Sequence, residues 1–124
     1  MSITLHKEDL PSGLSFGEAV AVDTETMGLN PLRDRLCLVQ LSAGDGTAHL
    51  VQFSGKSYSA PNLSALMANP KVVKIFHFAR FDIATLKHHL GVDCASLYCT
   101  KIASKLARTY TDDHSLRGVC RDLL

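Results

Sequence analysis

Two carboxylates one residue apart, Asp23 and Glu25, end the apolar run Ala19-Val20-Ala21-Val22. Side chains alternate across a strand, so residues at i and i+2 stand side by side on one face. Like charges at that separation repel, and each is costly to desolvate, so either one carboxyl takes up a proton or a cation sits between them. Mg2+ and Mn2+, hard ions that accept all-oxygen ligand sets, suit the second case. The same spacing also occurs where a strand ends in solvent and Glu25 opens a loop, so the pair alone leaves both readings open.

A second acidic position lies in Lys74-Ile75-Phe76-His77-Phe78-Ala79-Arg80-Phe81-Asp82-Ile83, where Asp82 falls in the first turn of a helix that follows a buried strand. The helix dipole favours an acid there by about 0.3–1 kcal/mol whatever its role. In parallel α/β sheets, however, ligands gather at the carboxyl ends of strands. Asp23, Glu25 and Asp82 all lie near such ends, so three carboxylates are expected to converge. With two divalent cations about 4 Å apart, such a trio hydrolyses phosphodiesters. His77 and Arg80 are close enough in sequence to contact phosphate, the guanidinium by its forked donors. A structural ion pair is the other common use of an Arg at a helix start.

The elements that must hold these groups follow from periodicity and turn chemistry. Residues 19–25, 36–42 and 48–53 read as strands, and the short connector 43–47, rich in turn formers, makes the last two an antiparallel hairpin. Gly28, Asn30 and Pro31 keep the segment 27–34 irregular. Asn62 is expected to cap a helix over 63–68 that Asn69-Pro70 stops, and 72–76 reads as a buried strand. A helix over 80–90 ends at Gly91. A further helix over 99–110 places Lys101, Lys105 and Arg108 on one exposed face opposite Ile102, Ala103 and Leu106. Such a face is usually merely solvated, but it also suits a nucleic-acid backbone. Asp113 is expected to cap a last helix whose apolar stripe, Leu116, Val119, Cys120, Leu123 and Leu124, needs a surface to cover it. The fold class is α/β, a mixed sheet of three antiparallel strands plus a parallel one, flanked by helices.

At 124 residues, 46% hydrophobic and 20% charged, the chain is one globular domain. Its apolar runs fall short of a membrane span and its first residues lack a signal-like core, so the expected location is cytoplasmic. Cys37, Cys94, Cys99 and Cys120 match neither a zinc knuckle nor a redox pair, and the six histidines show no zinc spacing. The net charge of +1 hides an asymmetry. Residues 1–70 carry four basic against seven acidic side chains, and residues 71–124 nine against five. A metal site beside a polyanion groove would look like this; so would two differently solvated faces.

Taken together, Asp23-Thr24-Glu25-Thr26-Met27-Gly28-Leu29 resembles the first motif of the DEDD class of 3′–5′ exonucleases, in its ribonuclease D branch. Phe76-His77-Phe78-Ala79-Arg80-Phe81-Asp82 resembles the second motif, and Arg35-Leu36-Cys37-Leu38-Val39-Gln40-Leu41 the strand between them. Residues 99–104 and 109–112 resemble the nanoRNase C group of that branch, bacterial enzymes that degrade very short RNA. The resemblance implies a ribonuclease H-like sheet and a 3′–5′ exoribonuclease that releases nucleoside 5′-monophosphates. It also implies Asp23, Glu25 and Asp82 as ligands to two divalent cations, Mg2+ or Mn2+. Thr26 and Met27 would line the pocket for the 3′-terminal nucleotide, Leu29 would wedge against the terminal bases, and His77 and Arg80 would make secondary contacts. RNA or short oligonucleotides are the implied partners, and a symmetric homo-oligomer the implied assembly.

One motif is missing. The class carries a tyrosine followed four residues later by a fourth aspartate, and no Y-x-x-x-D occurs here. Tyr110-Thr111-Asp112-Asp113 has the wrong spacing. The expectation is a single exonuclease domain incomplete at its C-terminus and inactive as it stands, the longer parent being the enzyme. The competing reading is a non-catalytic nucleic-acid-binding or assembly module that uses the basic residues after position 70. A phosphatase-like domain is disfavoured, because the chain has no glycine-rich phosphate loop or nucleophile elbow.

Overall fold

The computed structural model describes residues 1–124. Six strands and four helices follow one another as β1 (Ser2–Lys7), β2 (Ala19–Thr26), β3 (Leu36–Ser42), β4 (Thr47–Gln52), α1 (Pro61–Ala68), β5 (Val73–Phe76), α2 (Ala79–Leu90), β6 (Leu97–Cys99), α3 (Thr100–Ala107) and α4 (Leu116–Leu123). The strands form one mixed sheet in the order β1-β4-β3-β2-β5-β6. β2 pairs antiparallel with β3 and parallel with β5, which places it at the centre. The expected β3–β4 hairpin forms, with Gly44 and Gly46 supplying left-handed backbone at φ 78° and 84°.

Alternation along β2 sorts its residues between two faces. Val20, Val22 and Thr24 are buried, whereas Ala21, Asp23 and Glu25 are exposed. On the buried face, Val20, Val39, Leu41 and Val51 of the sheet join Leu63 and Met67 of α1 and Leu86 of α2 in one core. The other face is open beside Asp23: a groove of about 370 Å³ runs along Ala21, Asp23, Gln40, Leu50, His77 and Thr100.

Two strands were not anticipated. β1 is an edge strand, with Ile3 and Leu5 more than half exposed, and it carries no clean alternation. β6 has three residues, too few for periodicity to register. β5 forms as expected, but Val73 points outward and Lys74 is fully buried. The Lys74 stem fills core volume while its Nζ donates to the carbonyls of Asn69 (2.6 Å) and Val72 (2.7 Å). Burial pushes the Lys74 ammonium below its ordinary pKa.

Helix ends also differ from expectation. α1 starts at Pro61, and Asn62 does not cap it. The Asp9 carboxylate does so from a distant loop, accepting from the backbone N–H groups of Asn62 and Leu63, each at 2.9 Å. α3 stops at Ala107, which removes Arg108 from the exposed face expected for it. Arg108 is 5% exposed; it donates to Ser104 Oγ and the Asp113 carbonyl and pairs with Asp122, tying α3 to α4. The N-cap of α4 is Ser115, whose Oγ accepts from the Gly118 N–H at 3.0 Å, and Asp113 braces Ser115 instead. The apolar stripe of α4 stays uncovered, with Leu116 and Leu123 more than half exposed.

Because the two bonds from Asp9 satisfy otherwise orphaned donors of α1, Asp9→Ala is expected to destabilise the fold by about 1 kcal/mol, as loss of an N-cap does. Urea unfolding of the two proteins checks the value.

Candidate active site

The Asp23 and Glu25 side chains project from the exposed face of β2, as their spacing requires. Gln40, the register partner of Asp23 on β3, bridges them. Its Nε2 donates to Asp23 Oδ2 at 3.0 Å and lies 3.4 Å from Glu25 Oε1. A neutral amide spends both of its protons there and leaves both charges in place. Just beyond, the ladder slips: Glu25 faces Leu38 and Thr26 faces Leu36, so Cys37 is the extra residue of a bulge. Bulges of this kind re-aim side chains next to sites.

Asp82 arrives from α2. Thr24, pointing opposite to its acidic neighbours, donates from its backbone N–H (3.0 Å) and from Oγ1 (2.7 Å) to Asp82 Oδ1. Asp82 is 4% exposed, and no Lys, Arg or His forms an ion pair with it, with Asp23 or with Glu25. Burial above all pushes its carboxyl up to about 6; the Thr24 bonds oppose this and the nearby negative charge of Asp23 adds to it. No three acidic, His or Cys side chains close into a group tight enough to enclose a metal ion. The donors are nonetheless all oxygen, anionic and without basic partners, a set that fits hard divalent cations.

The segment after β2 is folded against itself. Thr26 Oγ1 donates to the Gly28 carbonyl at 2.6 Å, and the Asp34 carboxylate accepts from the Asn30 N–H and from Arg33. Arg33 and Asn30 hold the Asp34 carboxyl down to about 2. A Cβ on Gly28 would collide with the Asp34 carboxylate, so any side chain there would force Asp34 to move. Met27 and Leu29 project from it, 68% and 84% exposed, together with Leu32, which sequence reasoning did not single out.

The other expected residues are spread around the groove. His77 Nδ1 bonds Thr100 Oγ1 at 2.9 Å, and burial lowers its pKa. Arg80 is exposed on α2, Lys105 is exposed on α3, and Lys101 lies over the Phe78 ring. Arg108 is turned inward, as described above. Thr24 and Gln40 were missed as site residues. A lone amide within Leu-Cys-Leu-Val-Gln-Leu was the available signal for Gln40, and the alternation that separates Thr24 from both carboxylates was the signal for Thr24.

A ribonuclease H-like mixed sheet with an acidic pair at the end of central β2 and a further acid in the first turn of α2 fits a class of nuclease folds, and the chain belongs to the 3′-5′ exonuclease family, whose model matches residues 6–124. Within it the relatives are DEDD enzymes of the ribonuclease D and NrnC type. Ribonuclease D of Bartonella henselae is 37% identical over 93 residues, 75% of this chain and 23% of that protein. NrnC of Brucella melitensis with bound Mg2+ is 52% identical and superposes with a TM-score of 0.96 over 99% of this chain and 62% of that one. The same protein bound to pGG is 53% identical, also at 0.96, over 100% and 61%. The chain thus spans under a quarter of that ribonuclease D and about three fifths of NrnC.

The raised Asp82 carboxyl sets a pH dependence. The folded state holds this proton more tightly than the unfolded chain does at the ordinary value of 3.8, so the neutral acid stabilises the fold at low pH, and that contribution is lost as pH rises through about 6. In metal-free buffer, Asp82→Asn is therefore expected to stabilise the protein at pH 8 by roughly 1–3 kcal/mol, with the gain shrinking toward pH 4. Denaturant unfolding at several pH values reads it directly.

Proposed function

We propose that the protein is a metal-dependent 3′–5′ exoribonuclease acting on RNA or short oligonucleotides in the cytoplasm. The observation that carries this reading is the buried Asp82 carboxyl on α2, bonded to Thr24 between Asp23 and Glu25 of β2, with no cationic side chain in an ion pair with any of the three. The Mg2+ in the similar NrnC supports a divalent cofactor, and the pGG bound to NrnC supports a short oligonucleotide substrate. Asp23, Glu25 and Asp82 are the residues that would hold two Mg2+ or Mn2+ ions. Such ions, when bound, stabilise charge on phosphoryl oxygens and acidify water.

The chain's own residues supply positioning. Gln40 keeps the Asp23 and Glu25 carboxylates at a fixed spacing, and Thr24 fixes Asp82. Met27 and Leu29, held out by the braced segment behind them, offer an apolar surface to the terminal bases, with Thr26 at its base. Arg80 and Lys105, exposed and basic, suit the phosphate backbone; His77 borders the groove. The reaction breaks the terminal P–O3′ bond, water adding its oxygen to phosphorus, and releases a nucleoside 5′-monophosphate. Assembly of several copies is part of the proposal, by likeness to the nanoRNase C group.

The test is cleavage of a 5′-labelled short RNA by the protein in its natural full length. Shortening from the 3′ end with Mg2+ or Mn2+, and none with chelator, is expected, and Asp23→Ala and Asp82→Ala should each abolish it. Variants that cleave as fast as the parent would remove these residues from the site, and binding of RNA without any cleavage would favour a non-catalytic module.

A further inference from the structure

Phe78 sits between β5 and α2 in a left-handed conformation, φ 68° and ψ 54°, that a bulky residue rarely adopts. Glycine is the residue this backbone favours. The ring does not repay the strain by filling the core, since Phe78 is 48% exposed. A cation covers the ring: Lys101 Nζ lies 4.5 Å from its centroid and forms no salt bridge. β5 runs parallel to β2 with Ile75 level with Ala21, which brings the chain just after β5 alongside Asp23. Strained residues of this kind concentrate at functional sites.

Resting on the exonuclease reading above, we propose that the Phe78 ring is a stacking platform for a nucleobase of the single-stranded substrate, and that Lys101 leaves the ring face to take the phosphate beside that base. An aromatic face accepts any base, so the platform adds affinity without sequence preference. A half-exposed cation–π contact is weak enough to exchange for a phosphate. The backbone is held by neighbours other than the ring: the Phe78 carbonyl accepts from the Phe81 N–H at 3.2 Å, and the Ala79 N–H donates to Cys99 Sγ at 3.5 Å.

This separates binding from folding. Phe78→Gly relieves the left-handed strain and removes the ring, so the melting temperature should rise while affinity falls. The probe is an RNA dinucleotide carrying 2-aminopurine, with a phosphorothioate linkage that keeps its charge, titrated with Mg2+ into the same protein as the cleavage assay. Wild type is expected to quench the probe by stacking. Phe78→Gly should lose the quenching and bind about 5- to 150-fold more weakly, the range for one base–aromatic stack. Phe78→Tyr should retain both properties, and Lys101→Gln should keep the quenching while lowering the salt dependence by about one phosphate contact. Unchanged affinity and quenching in Phe78→Gly would overturn the platform alone, and a lowered melting temperature would mark the ring as a packing group. A wild-type protein that shortens RNA yet does not quench the probe would overturn the platform alone, and one that neither binds the dinucleotide nor shortens RNA would overturn the exonuclease reading, and the platform with it.

Discussion

Two hydrogen bonds from Thr24 to one oxygen of Asp82 decide where the acidic groups of this protein stand. They join the centre of the sheet to the first turn of α2 and hold a buried carboxyl near enough to Asp23 to feel its charge. Without them, an uncompensated acid at 4% exposure would have no reason to remain inside. The same bonds satisfy only the side of Asp82 that faces Thr24. What remains is an acid whose carboxyl is pushed up to about 6, near Asp23 and without an ion-pair partner.

Other features of the fold serve that arrangement. Central placement of β2, with strands on both sides, makes its alternation rigid, so Asp23 and Glu25 cannot rotate away from one another. Gln40 spaces them, and the bulge at Cys37 turns the chain into the segment that carries Met27 and Leu29. Asp34 then closes that segment through Asn30, Arg33 and the bare Cα of Gly28. Rigid strands hold the acids and a self-braced loop holds the apolar contacts, a division that keeps a site preorganised.

The parts visible in the sequence were those written in local periodicity. The period-two pattern of 19–25 fixed the shared face of Asp23 and Glu25, and turn residues at 43–47 fixed the hairpin. The glycine at 91 marked the end of α2 correctly. What escaped depended on residues far apart in the chain. Asp9 reaches α1 across some fifty positions, Arg108 is drawn inward by Asp122 on the next helix, and Lys74 enters the core because the Asn69–Val72 turn presents carbonyls to its tip. Gln40 and Thr24 looked like ordinary strand residues until the register placed them against the carboxylates.

Asp82 is a buried acid whose carboxyl is pushed up to about 6, and the proposed function makes it a ligand of a divalent cation. Carboxyl-carbon NMR of Asp82 through a pH titration, with and without Mg2+, tests it most directly. The account predicts a midpoint near 6 in metal-free buffer that falls when Mg2+ is added. A midpoint at the ordinary aspartate value of 3.8, or a raised one that Mg2+ leaves unmoved, would contradict it.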